Sequence, residues 1–296
     1  MLAYNLREFD PIVFDRRRKA GKKCTGIISY DTFYSLNISR EFLDREFKNI
    51  EILYDNKYSV HVNTNVTRLN REKLEIWLDE EVKTKRPRDA VIKGNIVISE
   101  NEKYEGVIID CSGWKGKAKW LKAIEYLTEP INEDKIIVYF DSRNKGGFSW
   151  IVPLPYGTLI GSISYINPEF FLPKIEKRVL DKHGGAIPRV YPEKKIYDLR
   201  LGDSTGLIKT FTGGGIFSIA KLLSPLVAGI TNNNFEKYFF TYSNIAREIR
   251  KQYRITNVLE VLWKFLPILF RMYNDKTINV SEEFDLHSLL FRRLPH

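Results

Sequence analysis

The sequence predicts an α/β protein, α+β overall, in which a mostly parallel sheet is interleaved with an antiparallel one and followed by helices. Three observations lead there. Strands and helices alternate over residues 1–115, and the same texture returns at 196–203. Between about 117 and 188 it gives way to longer strands separated by polar turns, "KIIVYFD", "GFSWIVPLP" and "GTLIGSISYI". From 214 onward the chain reads as helical.

Leu2, Leu6 and Phe9 are apolar at helical spacing, and "PIVF" follows as a short strand closed by Asp15. Two short strands are expected within 50–65, around Asp55-Asn56-Lys57, and then an amphipathic helix over 69–84 through Leu74, Trp77, Leu78 and Val82. "AVIKGNIVIS" predicts a hairpin about Lys93-Gly94-Asn95, and "GVIID" a buried strand over 106–110. A helix is expected near 167–181. In the very apolar "NVLEVLWKFLPILFRMY", Pro267 predicts a kink. The organisation expected is a first domain over 1–115, an antiparallel-sheet substrate domain over 116–195, a return to the first domain at 196–232, and a helical C-terminal region over 233–296.

With 296 residues and 43% hydrophobic content, the chain has material for a sizeable core. No apolar run reaches the roughly 18–20 uncharged residues of a bilayer span, and "MLAYNLREFD" lacks the apolar stretch of a signal peptide, so a cytoplasmic protein is expected. Cys24 and Cys111 are too few, and His61, His183, His287 and His296 too scattered, for a metal site. A net charge of +10 favours anionic partners without choosing among them. The run Arg16-Arg17-Arg18-Lys19 reads as a nucleic-acid patch or as a solvated loop. The aromatics lie in apolar stretches rather than among basic residues, so nucleic acid is not expected as a partner.

The segment "RLGDSTGLIKTFTGGGIFSIA", residues 200–220, carries the chemistry: a strand end, an aspartate, a loop, and three glycines opening a helix. Helix N-termini with glycine ahead of them hold anionic and nucleotide ligands. Four further pieces precede it in order: "IVFDRR", "KKCTGIIS", "VTRLNREKLEIWL" and "DCSG". Together these resemble the flavin-dependent geranylgeranyl reductases, within the p-hydroxybenzoate hydroxylase-like FAD proteins. The resemblance runs from Met1 to about residue 250.

What the resemblance implies is a FAD-binding Rossmann-like domain. Asp15 would accept the ribose hydroxyls, its alternative being a solvated acid beside arginines; Arg68 would open a helix at the cofactor. Asp203 would lie along the ribityl and pyrophosphate part, and Gly213, Gly214 and Gly215 would admit the isoalloxazine. Cys24 would sit near the flavin, either reactive or as an inert buried thiol. "GGFSWIVP" looks like the reductases' Tyr-x-Trp-x-Phe-Pro motif, so Phe148, Trp150 and Pro153 would shape an isoprenoid tunnel. The alternative is an ordinary apolar strand face, and Phe148 and Val152 depart from the motif. Thr210 and Lys209 depart from the family near the glycines.

The family reaction is hydride delivery from reduced flavin to an isoprenoid double bond, with protonation of the other carbon. No side chain stands out as the proton donor, and the electron donor, reduced nicotinamide or ferredoxin, is left open. The basic surface and the apolar C-terminal helices suit a lipid presented at a membrane surface. Relatives carry G-x-G-x-x-G after a first strand, and this chain has no such turn. The expectation is therefore a parallel sheet lacking its first strand, about 12–15 residues short at the N-terminus, with FAD held weakly or not at all. A flavin monooxygenase or halogenase on the same fold, and a non-catalytic remnant without flavin, are the alternatives.

Overall fold

In the computed structural model the described residues are 1–174, 176–280 and Asp285. In chain order the elements are α1 (Leu2–Asn5), β1 (Val13–Phe14), β2 (Ile27–Ser29), α2 (Tyr30–Leu36), β3 (Leu43–Tyr54), β4 (Tyr58–Leu69), α3 (Arg71–Glu81) and β5 (Thr84–Lys85). A small antiparallel sheet of β6 (Val91–Lys93), β7 (Ile96–Ser99) and β8 (Glu102–Glu105) follows. Then come β9 (Lys119–Thr128), β10 (Ile136–Phe140), β11 (Phe148–Leu154), β12 (Gly157–Ser164) and β13 (Val179–Arg189). The described chain closes with α4 (Ile216–Asn232), α5 (Glu236–Val261), α6 (Leu266–Met272) and β14 (Lys276–Asn279).

A nine-stranded mixed sheet dominates, in the order β13-β9-β12-β11-β10-β3-β4-β14, with β2 also on β4. Its β9–β13 half is antiparallel, whereas β10–β3 and β14–β4 pair in parallel. β3 and β4 come from the segment 1–115, so this sheet draws on both sides of residue 116. The remaining parallel pairing is fragmentary: β1 beside β5, and a single bridge between Asp110 and Arg200.

Several sequence expectations are corrected here. The two short strands around residue 55 are twelve residues each. Their turn places Asp55 (φ 47°) and Asn56 (φ 53°) in the left-handed region that a tight hairpin demands and that Asp and Asn tolerate. The helix expected over 69–84 is α3, shortened because Asn70 is its N-cap, accepting from Lys73 N at 3.0 Å. Arg68 is therefore the last but one residue of strand β4 instead of opening a helix. The buried strand expected over 106–110 does not form: Val107 is 58% exposed, and pairing is confined to Asp110. The helix expected near 167–181 is one 3-10 turn, Pro168–Phe171, followed by β13, whose pairing with β9 over its whole length outweighs local propensity. Pro267 does not kink a helix, because α5 ends at Val261 and the proline sits in the first turn of α6, where its missing N–H costs nothing. Of the C-terminal region 233–296, the residues after Val280 other than Asp285 lie outside the described residues, as do His287 and His296.

Apolar burial follows the layers. Phe217, Leu222, Leu226, Tyr238, Tyr242 and Ile249 join α4 to α5, and α2 and α3 pack through Phe33, Leu36, Leu74 and Leu78. The inner sheet face is filled by Phe47, Val66, Trp150, Val152, Leu159 and Ile163.

Candidate cofactor and substrate site

Asp110 anchors the loop that carries the three glycines. Its backbone bonds both Leu199 and Leu201 (N–H to Leu199 O 2.9 Å, Leu201 N to Asp110 O 3.0 Å), and Ser204 Oγ donates to the same carbonyl. This fixes Asp203 on a one-turn 3-10 helix, Gly202–Thr205, with its carboxylate half-buried. Downstream, Gly213 N donates to Lys209 O at 2.8 Å and Lys209 N to Gly214 O at 2.9 Å, closing the loop on itself.

Each glycine has its own steric reason. A Cβ on Gly215 would lie 2.9 Å from Asp203 Oδ1, one on Gly214 2.7 Å from Lys209 Cε, and one on Gly213 2.8 Å from Ile187 of β13; Gly213 also has φ +73°. Gly215 is the N-cap of the 17-residue α4 and offers no side-chain oxygen, so the first-turn N–H groups lack a side-chain cap. The result is a narrow backbone cradle with a carboxylate beside a positive helix end.

A second group of charged residues forms a chain of ion pairs. Arg17 bridges Asp15 (Nη2–Oδ2 2.9 Å) and Glu75 (Nη1–Oε2 3.1 Å), and Glu75 accepts from Arg71 Nε at 2.7 Å and from Lys22 N at 2.8 Å. Desolvation pushes Asp15 up, but hydrogen bonds from Arg17 and Arg86 outweigh it and hold the carboxyl below its ordinary range. The carboxylate proposed for the ribose thus already carries two guanidinium groups. Arg71, the first residue of α3, loses solvation, yet the Glu75 carboxylate that it hydrogen-bonds and the charge of Asp203 raise its pKa, so it links these ion pairs electrostatically to the glycine loop. Arg68 turns away, paired with Asp44 and hydrogen-bonded to Tyr156 Oη at 3.1 Å. Cys24 is half-buried, and burial together with Glu125 pushes its thiol up against the pull of Arg71 and Arg68; it is a protonated thiol at neutral pH.

On the sheet side, Phe148, Trp150 and Val152 share one face, as the two-residue period requires, while Pro153 alternates to the other. Phe148 stacks on Phe211 of the glycine loop (5.6 Å, 14°), so the structure brings the "GGFSWIVP" strand and the "TFTGGG" loop together. Trp150 is not a free tunnel wall. Its ring lies over Gly161 of the neighbouring strand, where a Cβ would come within 2.2 Å, and its Nε1 donates to Glu125 Oε2 at 2.7 Å. Glu125, 3% exposed, also accepts from Thr25 Oγ1 and faces His183 Nε2 at 3.1 Å. This buried carboxylate therefore joins the Cys24–Thr25 segment to three strands.

Lys209 pairs with Asp285 at 2.9 Å, both buried, and Asp285 further accepts from Thr32 Oγ1 at 2.7 Å and from Ser29 Oγ. Desolvation raises the Asp285 pKa, but the Lys209 charge and these hydrogen bonds outweigh it, so the net shift is downward. A carboxyl lowered in the folded state contributes stability above its unfolded pKa and loses it as pH falls through the folded value. Asp285→Asn is therefore expected to lower the urea midpoint at neutral pH, with the difference from wild type closing below about pH 4. A gap that is constant down to strong acid would contradict the pairing.

Arg71, Glu75, Glu125 and Asp285 were not singled out from the sequence. Two carried a signal: Arg71 and Glu75 are spaced i, i+4 just after a capping Asn, and Glu125 stands at an inward register position between Leu121, Ala123 and Leu127. Nothing local marks Asp285. Among the described residues no cluster of His, Cys, Asp and Glu could hold a metal ion.

Comparison of the sequence with family profiles gives no match, and neither does comparison with curated proteins. Solved structures do match. A geranylgeranyl bacteriochlorophyll reductase-like protein from Thermoplasma acidophilum is 15% identical with a TM-score of 0.80, the match covering 100% of this chain and 93% of that one. A probable FAD-dependent monooxygenase from Pseudomonas aeruginosa, PqsL, is 13% identical with a TM-score of 0.67 over 89% of this chain and 93% of that one. A flavin-dependent brominase is 13% identical with a TM-score of 0.63 over 98% and 88%. The chain thus has the mixed α/β fold shared by flavin-dependent oxidoreductases, monooxygenases and halogenases.

Proposed function

We propose that this protein is a FAD-dependent oxidoreductase acting on an isoprenoid lipid, with the flavin end of the cofactor at Asp203 and Gly213–Gly215. One observation carries the reading: three glycines, each with a different side chain within 3 Å of where a Cβ would stand, lie at the N-terminus of α4 beside the Asp203 carboxylate. That arrangement fits a planar group with polar edges. The backbone N–H groups of α4 would bind it, and Asp203 would accept from its hydroxyl-bearing linker. When bound, FAD supplies the two-electron transfer.

The chain's own residues supply position and exclusion of water. Phe148 and Phe211 form an aromatic floor, Trp150 is fixed by Glu125, and Cys24 contributes a neutral thiol. The adenosine end fits less well. Asp15 is occupied by Arg17 and Arg86, so a ribose there would have to displace a guanidinium. An acidic membrane lipid is the proposed substrate class, and reduced nicotinamide or ferredoxin the proposed electron donor.

Asp203→Ala should weaken FAD binding by about 1–3 kcal/mol, the cost of losing a charged hydrogen-bond partner. Flavin fluorescence titration at fixed salt measures it, and unchanged affinity would reject this placement. Oxygen consumption with reductant and no lipid would favour the monooxygenase chemistry that the same fold supports elsewhere.

A further inference from the structure

We propose that the outward face of α5's last turn and α6 is a docking surface for an anionic lipid bilayer. Val258, Val261, Phe265, Ile268 and Met272 recur at spacings of three and four, and all five are exposed, Val261 by 73%, Ile268 by 58% and Met272 by 61%. Leu262 and Leu269 widen the stripe. Single exposed apolar residues are ordinary, but seven within the fifteen residues 258–272 signal an interaction surface.

The inward face of the same segment is already used. Trp263 and Leu266 are buried against Tyr54, and Phe270 packs on Phe140 at 5.8 Å. The segment is therefore apolar on two sides, and the described residues cover one of them.

Charge selects the occupant. Between Val258 and Tyr273 the basic residues Lys264 and Arg271 are exposed, and the single acid, Glu260, is turned inward to Arg189. Lys251 and Arg254 extend the exposed positive charge along α5. A second copy of this face would meet like charge, whereas anionic headgroups would meet opposite charge with the apolar stripe in the acyl boundary. No helix among the described residues is long and apolar enough to cross a membrane, so the segment would lie on the surface.

The surface is continuous with the candidate site. Phe270 contacts Phe140, Phe140 contacts Phe211 at 5.8 Å, and Phe211 stacks on Phe148, so an unbroken aromatic path joins α6 to the glycine loop. That this path serves a lipid substrate rests on the functional reading above; the docking itself rests on the surface.

Co-sedimentation with phosphatidylcholine vesicles, with and without phosphatidylglycerol, tests the inference. Wild type should bind the anionic vesicles. Phe265→Ser/Ile268→Ser should bind them at least about tenfold more weakly, because two large side chains leave the acyl boundary. Lys264→Glu/Arg271→Glu should lose roughly as much, and only on anionic vesicles. Both variants change exposed side chains and should keep the wild-type urea midpoint. Failure of wild type to sediment with anionic vesicles, or equal binding by all three proteins, would overturn the proposal. So would a lipid-free wild-type dimer that Phe265→Ser/Ile268→Ser converts to monomer. Vesicle binding by a chain with no response to FAD would support the surface while rejecting the functional reading.

Discussion

Arg189→Met is expected to cost the fold about 3–5 kcal/mol, the range for removing one partner of a buried ion pair. Arg189 is 2% exposed, and each of its three guanidinium nitrogens donates inside the protein. Nε donates to Thr210 O at 2.9 Å, Nη1 to Tyr165 Oη at 2.8 Å and to Glu260, and Nη2 to the Gly146 carbonyl. Methionine would restore most of the volume but take the buried guanidinium from the Glu260 carboxylate, which would keep only Tyr165 Oη and Lys119 Nζ at 3.4 Å, and leave two buried carbonyls without their donor. Because Thr210 opens the glycine loop, the loss should also loosen that loop against α5. Urea denaturation measures the cost, and Arg189→Met/Glu260→Met should recover part of it, since replacing both partners removes the stranded charge. A single substitution with an unchanged midpoint would contradict the network.

Trp150→Ala should be similarly severe, about 3–5 kcal/mol as for other buried aromatics cut back to alanine. The ring fills the space that Gly161 leaves on the neighbouring strand, and its N–H satisfies Glu125. Trp150→Phe separates the two contributions. It keeps most of the packing and removes one of the two hydrogen bonds to Glu125 Oε2, leaving that from Thr25 Oγ1, so about 1–3 kcal/mol is expected for the lost bond to a charged group. If Trp150→Ala leaves the urea midpoint unchanged and alters only lipid kinetics, the residue is a substrate wall rather than a core member. The tunnel role expected from the sequence would then stand in its simpler form.

The legibility of this chain followed the range of the interactions. The alternation in "GFSWIVPLP" displays the sheet face directly, and three glycines before an apolar helix display a helix entry, because both patterns are set within a few residues. Long-range pairing does not show. β3 continues back to Leu43 because β4 and β10 flank it, and "GVIID" stays unpaired beyond Asp110, neither of which its own residues reveal. The same holds for the site. Asp203 and Gly213–Gly215 could be named from spacing, whereas Glu125 gains its partners from Thr25, Trp150 and His183, which are far away in sequence. The resemblance implies Arg68 as the arginine that opens a helix, and Arg71 stands three residues further on in "VTRLNREK". The Asn70 cap, rather than either arginine, decides where the helix begins.

Hydrogen–deuterium exchange with and without excess FAD tests the central claim most directly, because it reads the backbone amides of the cradle themselves and registers weak binding. The account predicts slowed exchange across Asp203–Ser218, and loss of that protection in Asp203→Ala. Unchanged exchange in this segment at saturating FAD, or protection confined to other parts of the chain, would contradict it.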